Sequence, residues 1–515
     1  MRKSISAVLR PGTALPAATP REPGALLIAT LTLSLVLPLA GCAVGPDFKK
    51  PAAPPVNTYT PAPLATTEST PDVTGGEPQH FTQGGDISGD WWKLYQSPAL
   101  ESLIAQALKN NSDLKAAQAA LKSANESALS GRGAFYPQLG LSASAFHYQQ
   151  PATLAPVPSN NAIQYSLFTP QLNVSYVPDV FGLQRRTVES LDAQAQAARY
   201  QMLATYTTLV NNVVSTAIQE ASVRRQIEAT QEMIAAMNKS LDILKYQLDR
   251  GYASGLDYNA QKTATAAASA TLPPLIKQDG QLKDQLAVLV GRYPSDQPAE
   301  KLDLATLKLP QDIPVTLPSK LVEQRPDIQQ AEANLHNASA QIGVAVADRL
   351  PNLTLAAQAG SSALVFNQLF TDGTDFWNAG GTLAATIFDG NALYHTEQAA
   401  RANYEQSAAQ YKSTVLTAFQ NVADSLTALQ QDAAALKTAA AADSAAKATL
   451  DITQYQLKDG YNNSLALLQA EQAYQQTHIA LLQAQASRYA DTAALFQALG
   501  GGWWHRTDLG DNDAK

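Results

Sequence analysis

"SDLKAAQAALKSANESALSGRGAFYPQLGLSA" (residues 112–143) is written again as "PDIQQAEANLHNASAQIGVAVADRLPNLTLAA" (residues 326–357). Asp113 matches Asp327, Ala117 matches Ala331, Leu121 matches Leu335, Pro137 matches Pro351 and Leu139 matches Leu353, at a constant offset of 214. Downstream, "LDILKYQLDRGYASGL" (241–256) matches "LDITQYQLKDGYNNSL" (450–465) at an offset of 209. A period this long is not a solenoid unit. It is a duplicated half, with the same elements in the same order.

Each half reads as helix, hairpin, long helix, turn and returning helix. The first helix, about 99–134, follows Ser97-Pro98 and carries Leu100, Leu103, Ala107, Leu114 and Leu121 at helical spacing. After Pro137 the period becomes two. Leu139, Leu141, Ala143 and Ala145 alternate with Gln138, Gly140, Ser142 and Ser144. Leu172, Val174 and Tyr176 then alternate with Asn173 and Ser175. The second half repeats this with Leu353, Leu355 and Ala357, and with Leu383, Ala385 and Ile387. Four strands with one apolar and one small polar face suit a membrane barrel, lipid outside and water inside. A half-buried soluble sheet alternates in the same way, and composition alone leaves both open. Four strands cannot close a barrel, and an open edge in lipid leaves backbone groups without partners. A barrel here therefore needs several chains.

Residues 183–250 and 391–458 contain no proline and no glycine. As helices each spans roughly 100 Å. The returning segments 256–291 and 465–499 follow the two short turns. In the second, Leu468, Ile479, Leu482, Ala486, Tyr489, Ala493 and Phe496 form a coiled-coil seam. Alanines as in "LKTAAAADSAAKATL" let such helices pack on more than one side, although helix propensity alone also favours them.

The ends of the chain suggest export. Arg2, Lys3, Arg10 and Arg21 precede an apolar run of about 16 residues, shorter than a spanning helix. Leu39-Ala40-Gly41-Cys42 reads as a lipobox, and Cys42 is the sole cysteine. Its thiol is the expected acylation site, because each buried CH₂ contributes about 0.8 kcal/mol to membrane anchoring. With no second cysteine there is no disulfide framework. Net charge is −8 and charged residues are 16%, which argues against nucleic acid as a partner. His80, His147, His336, His395, His478 and His505 are scattered without metal-ligand spacing. No nucleophile elbow, P-loop or dinucleotide turn is present, so neither catalysis nor a cofactor is expected.

Together with "GPDFKKP" after Cys42, "WWKLYQSPALESLIAQAL" (91–108), "RPDIQQAEANL" (325–335) and "RGYASGLDY" (250–258), these features resemble the TolC-type outer-membrane efflux proteins. The likeness is to the NodT-family lipoproteins that serve resistance-nodulation-division pumps, and it spans nearly the whole mature chain. It implies a mainly α fold with a transmembrane β-barrel. The family assembles as a homotrimer, four strands per chain making a 12-stranded barrel, with a long coiled-coil periplasmic tunnel. It also implies outer-membrane lipid, a periplasmic adaptor and an inner-membrane pump as partners. The expected divisions are a signal peptide at 1–41, a lipidated strap at 42–98 and repeats at 99–291 and 318–502. A linker at 292–317 and a tail at 503–515 complete them.

The two turns are the expected periplasmic tips and gate: Arg250, Gly251 and Asp257 in one, Lys458, Asp459, Gly460, Asn462 and Asn463 in the other, with Gln469 beyond. Asp257 matches the family's gate aspartate. The second half departs from the pattern, carrying Ala466 and Gln469 where relatives have an acidic residue, with Glu471 nearby. Hydrogen bonds from Asn462 or Asn463 are the expected substitute. The expected function is passive conduction of drugs or other small toxic compounds to the exterior. The alternatives are an exit duct for type I protein secretion and a lipid-anchored periplasmic scaffold without a pore.

One consequence concerns Cys42. Cys42→Ser should lose acylation, read by intact mass, yet stay in the membrane fraction, since a closed barrel inserts by its own apolar band. Complete release into the soluble fraction would count against a barrel.

Overall fold

The computed structural model describes residues 43–62, 64, 66–149 and 164–507. The segment 1–41, Cys42, residues 150–163 and the tail from 508 lie outside the described residues. Before the first repeat come strand β1 (His80–Gln83) and a 3-10 turn at Trp91–Tyr95. The first repeat then runs α1 (Pro98–Asn110), α2 (Ser112–Arg132), β2 (Gln138–Gln149), β3 (Gln164–Tyr176), α3 (Leu183–Asp249) and α4 (Gly255–Leu289). The linker strand β4 (Asp312–Val315) follows. The second repeat is α5 (Pro318–Gln324), α6 (Pro326–Ala347), β5 (Asn352–Ser361), β6 (Asp375–Ala384), α7 (Ala392–Lys458) and α8 (Ser464–Ala498).

The duplication is visible in the lengths. Helices α3 and α7 have 67 residues each, and α4 and α8 have 35 each. Among the described residues no helix is long and apolar enough to cross a membrane. The four repeat strands form one compact unit, and the helices, strap and linker another.

Two details differ from the sequence expectation. The helix expected over 99–134 breaks at Asn111. There the Asn111 side chain caps α2 through Leu114 N (3.0 Å) and donates to Leu289 O (3.1 Å). An asparagine offering the backbone such local bonds ends one helix and starts the next. The last strand lies at Asp375–Ala384, upstream of the alternation that reached Ile387. Its ladder stops where Ala384 meets Asn352, because the next partner is Pro351, which has no N–H to give. Helix α4 forms as the expected returning helix and runs on through Pro273-Pro274, where α8 has Leu482 and Gln483.

The helical unit has its main core where α1, α3, α8 and the linker meet. Trp91 stacks on Phe496 at 5.1 Å, and Tyr95 Oη donates to Tyr489 O (2.8 Å). Arg325 grips Asp327 with two nitrogens (3.0 and 2.7 Å) and donates to Ala498 O (2.9 Å), covering the end of α8. These contacts account for the "WWKLY" and "RPDI" signatures. The strap is mostly irregular, but β1 pairs in parallel with β4.

The strap's first residues are clamped. The Arg186 side chain, 5% exposed, binds the Asp47 carboxylate (2.8 Å) and Glu189 (2.7 Å). Phe48 stacks on His336 at 4.3 Å, and Lys50 pairs with Glu332 (3.2 Å). Gly45 lies against Gly343 so closely that a Cβ on it would sit 2.4 Å from Gly343 Cα.

Farther along, the strap covers a buried polar cluster. Arg488 is fully buried and donates to Thr67 Oγ1 (3.0 Å) and Glu77 O (2.6 Å). Gln79 donates to Pro310 O and to Thr492 Oγ1, both at 3.0 Å. Burial, reinforced by the neighbouring Asp491, pushes the Asp432 carboxyl up to about 7, although Arg488 draws it down.

A folded-state value above the unfolded one means stability that is present in acid and lost as pH rises through about 7. Asp432→Asn should therefore melt like the parent below about pH 4, where the carboxyl holds its proton in both states, then draw ahead as pH rises and keep its full advantage at pH 8. Allowing for solvent screening of a half-buried pair, the gain is about 1–2 kcal/mol. Identical pH profiles in thermal denaturation would show that Asp432 is ionised without cost.

Candidate functional site

Two features stand out, a sheet with chemically opposite faces and a pair of matched turns. The sheet order is β2-β3-β5-β6, so β2 and β6 are its edges. Directly opposed residues share a face. Val174 opposes Ala357, which opposes Ala379, and Leu172 opposes Ala359, which opposes Trp377. Tyr176 faces Leu355, and Leu353 faces Leu383. Leu139 and Leu141 on β2 are exposed large apolar residues, as are Leu172, Trp377 and Leu383. This is a continuous apolar face.

The other face carries amides and hydroxyls. Asn173 opposes Gln358, which opposes Asn378. Gln171 Nε2 donates to Asn173 Oδ1 (2.8 Å) and Gln358 Oε1 (3.3 Å), and Asn173 Nδ2 donates to Ser142 Oγ (2.9 Å). On β3 the ladder to β5 is interrupted at Pro170 and resumes as a bridge between Phe168 and Ala363. The alternation was legible in the sequence. The amide line across strands was not, because register is a property of pairing and not of any one strand.

The turns are built alike. Gly251 has φ 76° and Gly460 has φ 79°, the left-handed region that ends helices on glycine. The next residue reaches back in each case, Tyr252 N to Gln247 O and Tyr461 N to Gln456 O, both at 2.8 Å. Ser254 Oγ then accepts from Asp257 N (3.1 Å) to cap α4, and Asn463 Oδ1 accepts from Ala466 N (2.9 Å) to cap α8. These are repeat-equivalent positions.

The tip candidates fall on this frame as follows. Arg250, Lys458, Asp459 and Gln469 are exposed, and Arg250 lies over the Tyr246 ring at 5.0 Å. Asp257 Oδ2 accepts from Ser254 Oγ (2.8 Å), so its carboxylate closes a reciprocal cap. Asn462 Nδ2 donates to Gln456 Oε1 (3.0 Å) while Asn463 caps α8, so within the chain both amides hold the turn. Glu471 is buried among α3, α4 and α8, accepts from Ser240 Oγ (3.2 Å), and has its carboxyl pushed up by burial.

Around the turns, Ile243, Tyr246, Tyr252 and Leu256 are exposed, and so are their repeat partners Ile452, Tyr455, Tyr461 and Leu465. Tyr252 is 83% and Tyr461 84% exposed. Their conservation between halves was visible in the sequence, but not that all eight face outward.

The family model for outer membrane efflux proteins matches residues 103–292 and 317–501. The chain is 27% identical to the toluene efflux pump outer membrane protein TtgC of Pseudomonas putida, covering 93% of this chain and 96% of that one. It is likewise 27% identical to the outer membrane protein OprJ of Pseudomonas aeruginosa, covering 92% and 95%. The solved outer-membrane channel OprN superposes with a TM-score of 0.79 at 24% identity, over 90% of this chain and all of that one.

Proposed function

The chain belongs to the outer membrane efflux protein family, and from that premise we propose that three copies close one 12-stranded barrel and contribute their long helices to a periplasmic tunnel. It is a TolC-like, NodT-type outer-membrane efflux protein, a channel component. The sheet supports the trimer. Strands β2 and β6 end it with unpaired edges, while its apolar face suits lipid. Backbone groups in a bilayer must all be paired, so the edges must meet those of neighbouring copies. With four strands per chain, three chains reach a size that closes.

The channel is passive, and its energy comes from an inner-membrane pump reached through a periplasmic adaptor. Toluene and other small compounds in the relatives' names favour small solutes over secreted proteins. Cys42 carries the acyl anchor at the membrane. The turns at Gly251 and Gly460 are the periplasmic tips. Six matched apolar patches per trimer, two from each chain, receive the adaptor, and Arg250, Asp257, Lys458, Asp459, Asn462, Asn463 and Gln469 hold the closed gate between them. Exposed ion pairs contribute only about 0.2–1 kcal/mol, so a gate of such contacts yields to adaptor binding.

The deciding experiment is the mass of the full chain in lipid nanodiscs, expected to be three copies; a single copy would overturn the trimer. In planar bilayers Asp257→Ala should raise the resting conductance of the intact trimer. If it and Gln469→Ala both leave the closed state unchanged, these residues do not hold the gate. The combined substitution Tyr252→Ser with Tyr461→Ser should weaken adaptor capture about tenfold, through lost aromatic burial. Capture equal to the parent's would place docking elsewhere.

A further inference from the structure

The polar face of the sheet is not uniformly polar. Three contacts fix how β2 and β3 pair. His147 Nδ1 lies 3.1 Å from Ser166 Oγ, Gln164 Nε2 donates to Gln149 Oε1 (3.2 Å), and the Tyr148 and Tyr165 rings are 5.3 Å apart. All three pairs belong to one register. In that register Ser142 and Ser144 share a face with Phe146 and Tyr148, and Gln171 and Asn173 share it with Tyr165. Phe146 and Tyr148 rings are 5.7 Å apart, and both side chains are exposed. An aromatic platform therefore sits on the amide face, at the strand ends that bound residues 150–163.

Its surroundings are graded. Next to the rings come Ser144 and Thr169, the latter 3.3 Å from the Ser362 hydroxyl. Then come Ser142 and Gln171, about 13 Å from Phe146 at the rise of a strand, with Asn173 and Gln358 one step beyond them. The imidazole of His147 and the carboxylate of Asp375, the acidic and basic side chains of the four strands, both lie on the apolar face. The amide face thus has no formal charge.

We propose that this face is a solute-contact track, on which aromatic compounds bearing hydrogen-bonding groups and no negative charge stack and hydrogen-bond as they leave. The reading rests on the closed trimer, which turns this face toward the water-filled interior and presents three platforms. Ring faces carry a negative quadrupole, so they accept stacked aromatics and disfavour anions. Amides and hydroxyls about 13 Å away satisfy the polar end of a two- or three-ring solute. An uncharged wall neither traps an ion nor repels a neutral molecule.

The test uses saturation-transfer NMR on the full chain in nanodiscs, with empty nanodiscs as background. The probes are 4-nitrophenyl β-D-glucopyranoside, which is neutral, and 4-nitrobenzenesulfonate, its anionic counterpart. The glucoside should bind in the millimolar range and the sulfonate at least several-fold more weakly. Phe146→Leu with Tyr148→Leu keeps the apolar volume and removes the ring faces, and should weaken the glucoside about tenfold. Gln171→Ala should weaken it less and leave nitrobenzene binding unchanged. Glucoside binding indifferent to the rings in a sample whose mass is three chains would overturn the track alone. A mass other than three chains would instead overturn the trimer. Binding that emerges only after 151–162 is replaced by a glycine-serine linker would show that the chain's own segment occupies the platform, and would also overturn the proposal.

Discussion

Backbone hydrogen bonding at the two sheet edges constrains everything else. A strand edge exposes a row of N–H and C=O groups, and in hydrocarbon each unpaired group costs several kcal/mol. The order β2-β3-β5-β6 leaves such a row on β2 and on β6. Both strands come from different halves, so the duplicated hairpins pair with each other inside the chain and with other copies outside it. The apolar face, the amide face and the turns acquire their roles from that closure.

Much of this was legible in the sequence because duplication doubles every signal. A glycine followed by tyrosine at the same place in both halves is enough to locate the turns. Alternation at Leu139–Ala145 and Leu353–Ala357 gives the faces of two strands. What stayed hidden depends on partners distant in the chain. Asn111 splits a helix because it reaches Leu289. Strand β6 stops early because Pro351 cannot extend the ladder. Glu471 stands beside the gate candidates in sequence but is buried among three helices. The platform of Phe146, Tyr148 and Tyr165 requires knowing the register between β2 and β3.

The halves are alike in frame and unlike in chemistry. Both turns share glycine geometry and reach-back hydrogen bonds, yet one is capped by Ser254 with Asp257 and the other by Asn463 with Ala466. An acidic side chain at position 257 and a methyl at the equivalent position 466 mean that a threefold assembly carries two kinds of helix start, three of each. Helix α4 adds Pro273-Pro274, which withdraws two N–H donors from its ladder, while α8 keeps its own. The two hairpins therefore differ in stiffness as well as in charge.

The clamp on the strap bears on the order in which the chain takes shape. Gly45, Asp47, Phe48 and Lys50 are synthesised early, but the groups that hold them, Arg186, Glu332, His336 and Gly343, lie far downstream. Contacts of such sequence separation carry a large loop-closure cost and form late. The first segment to emerge is thus among the last to dock. Until the second repeat arrives to seat it, this stretch remains an open tether.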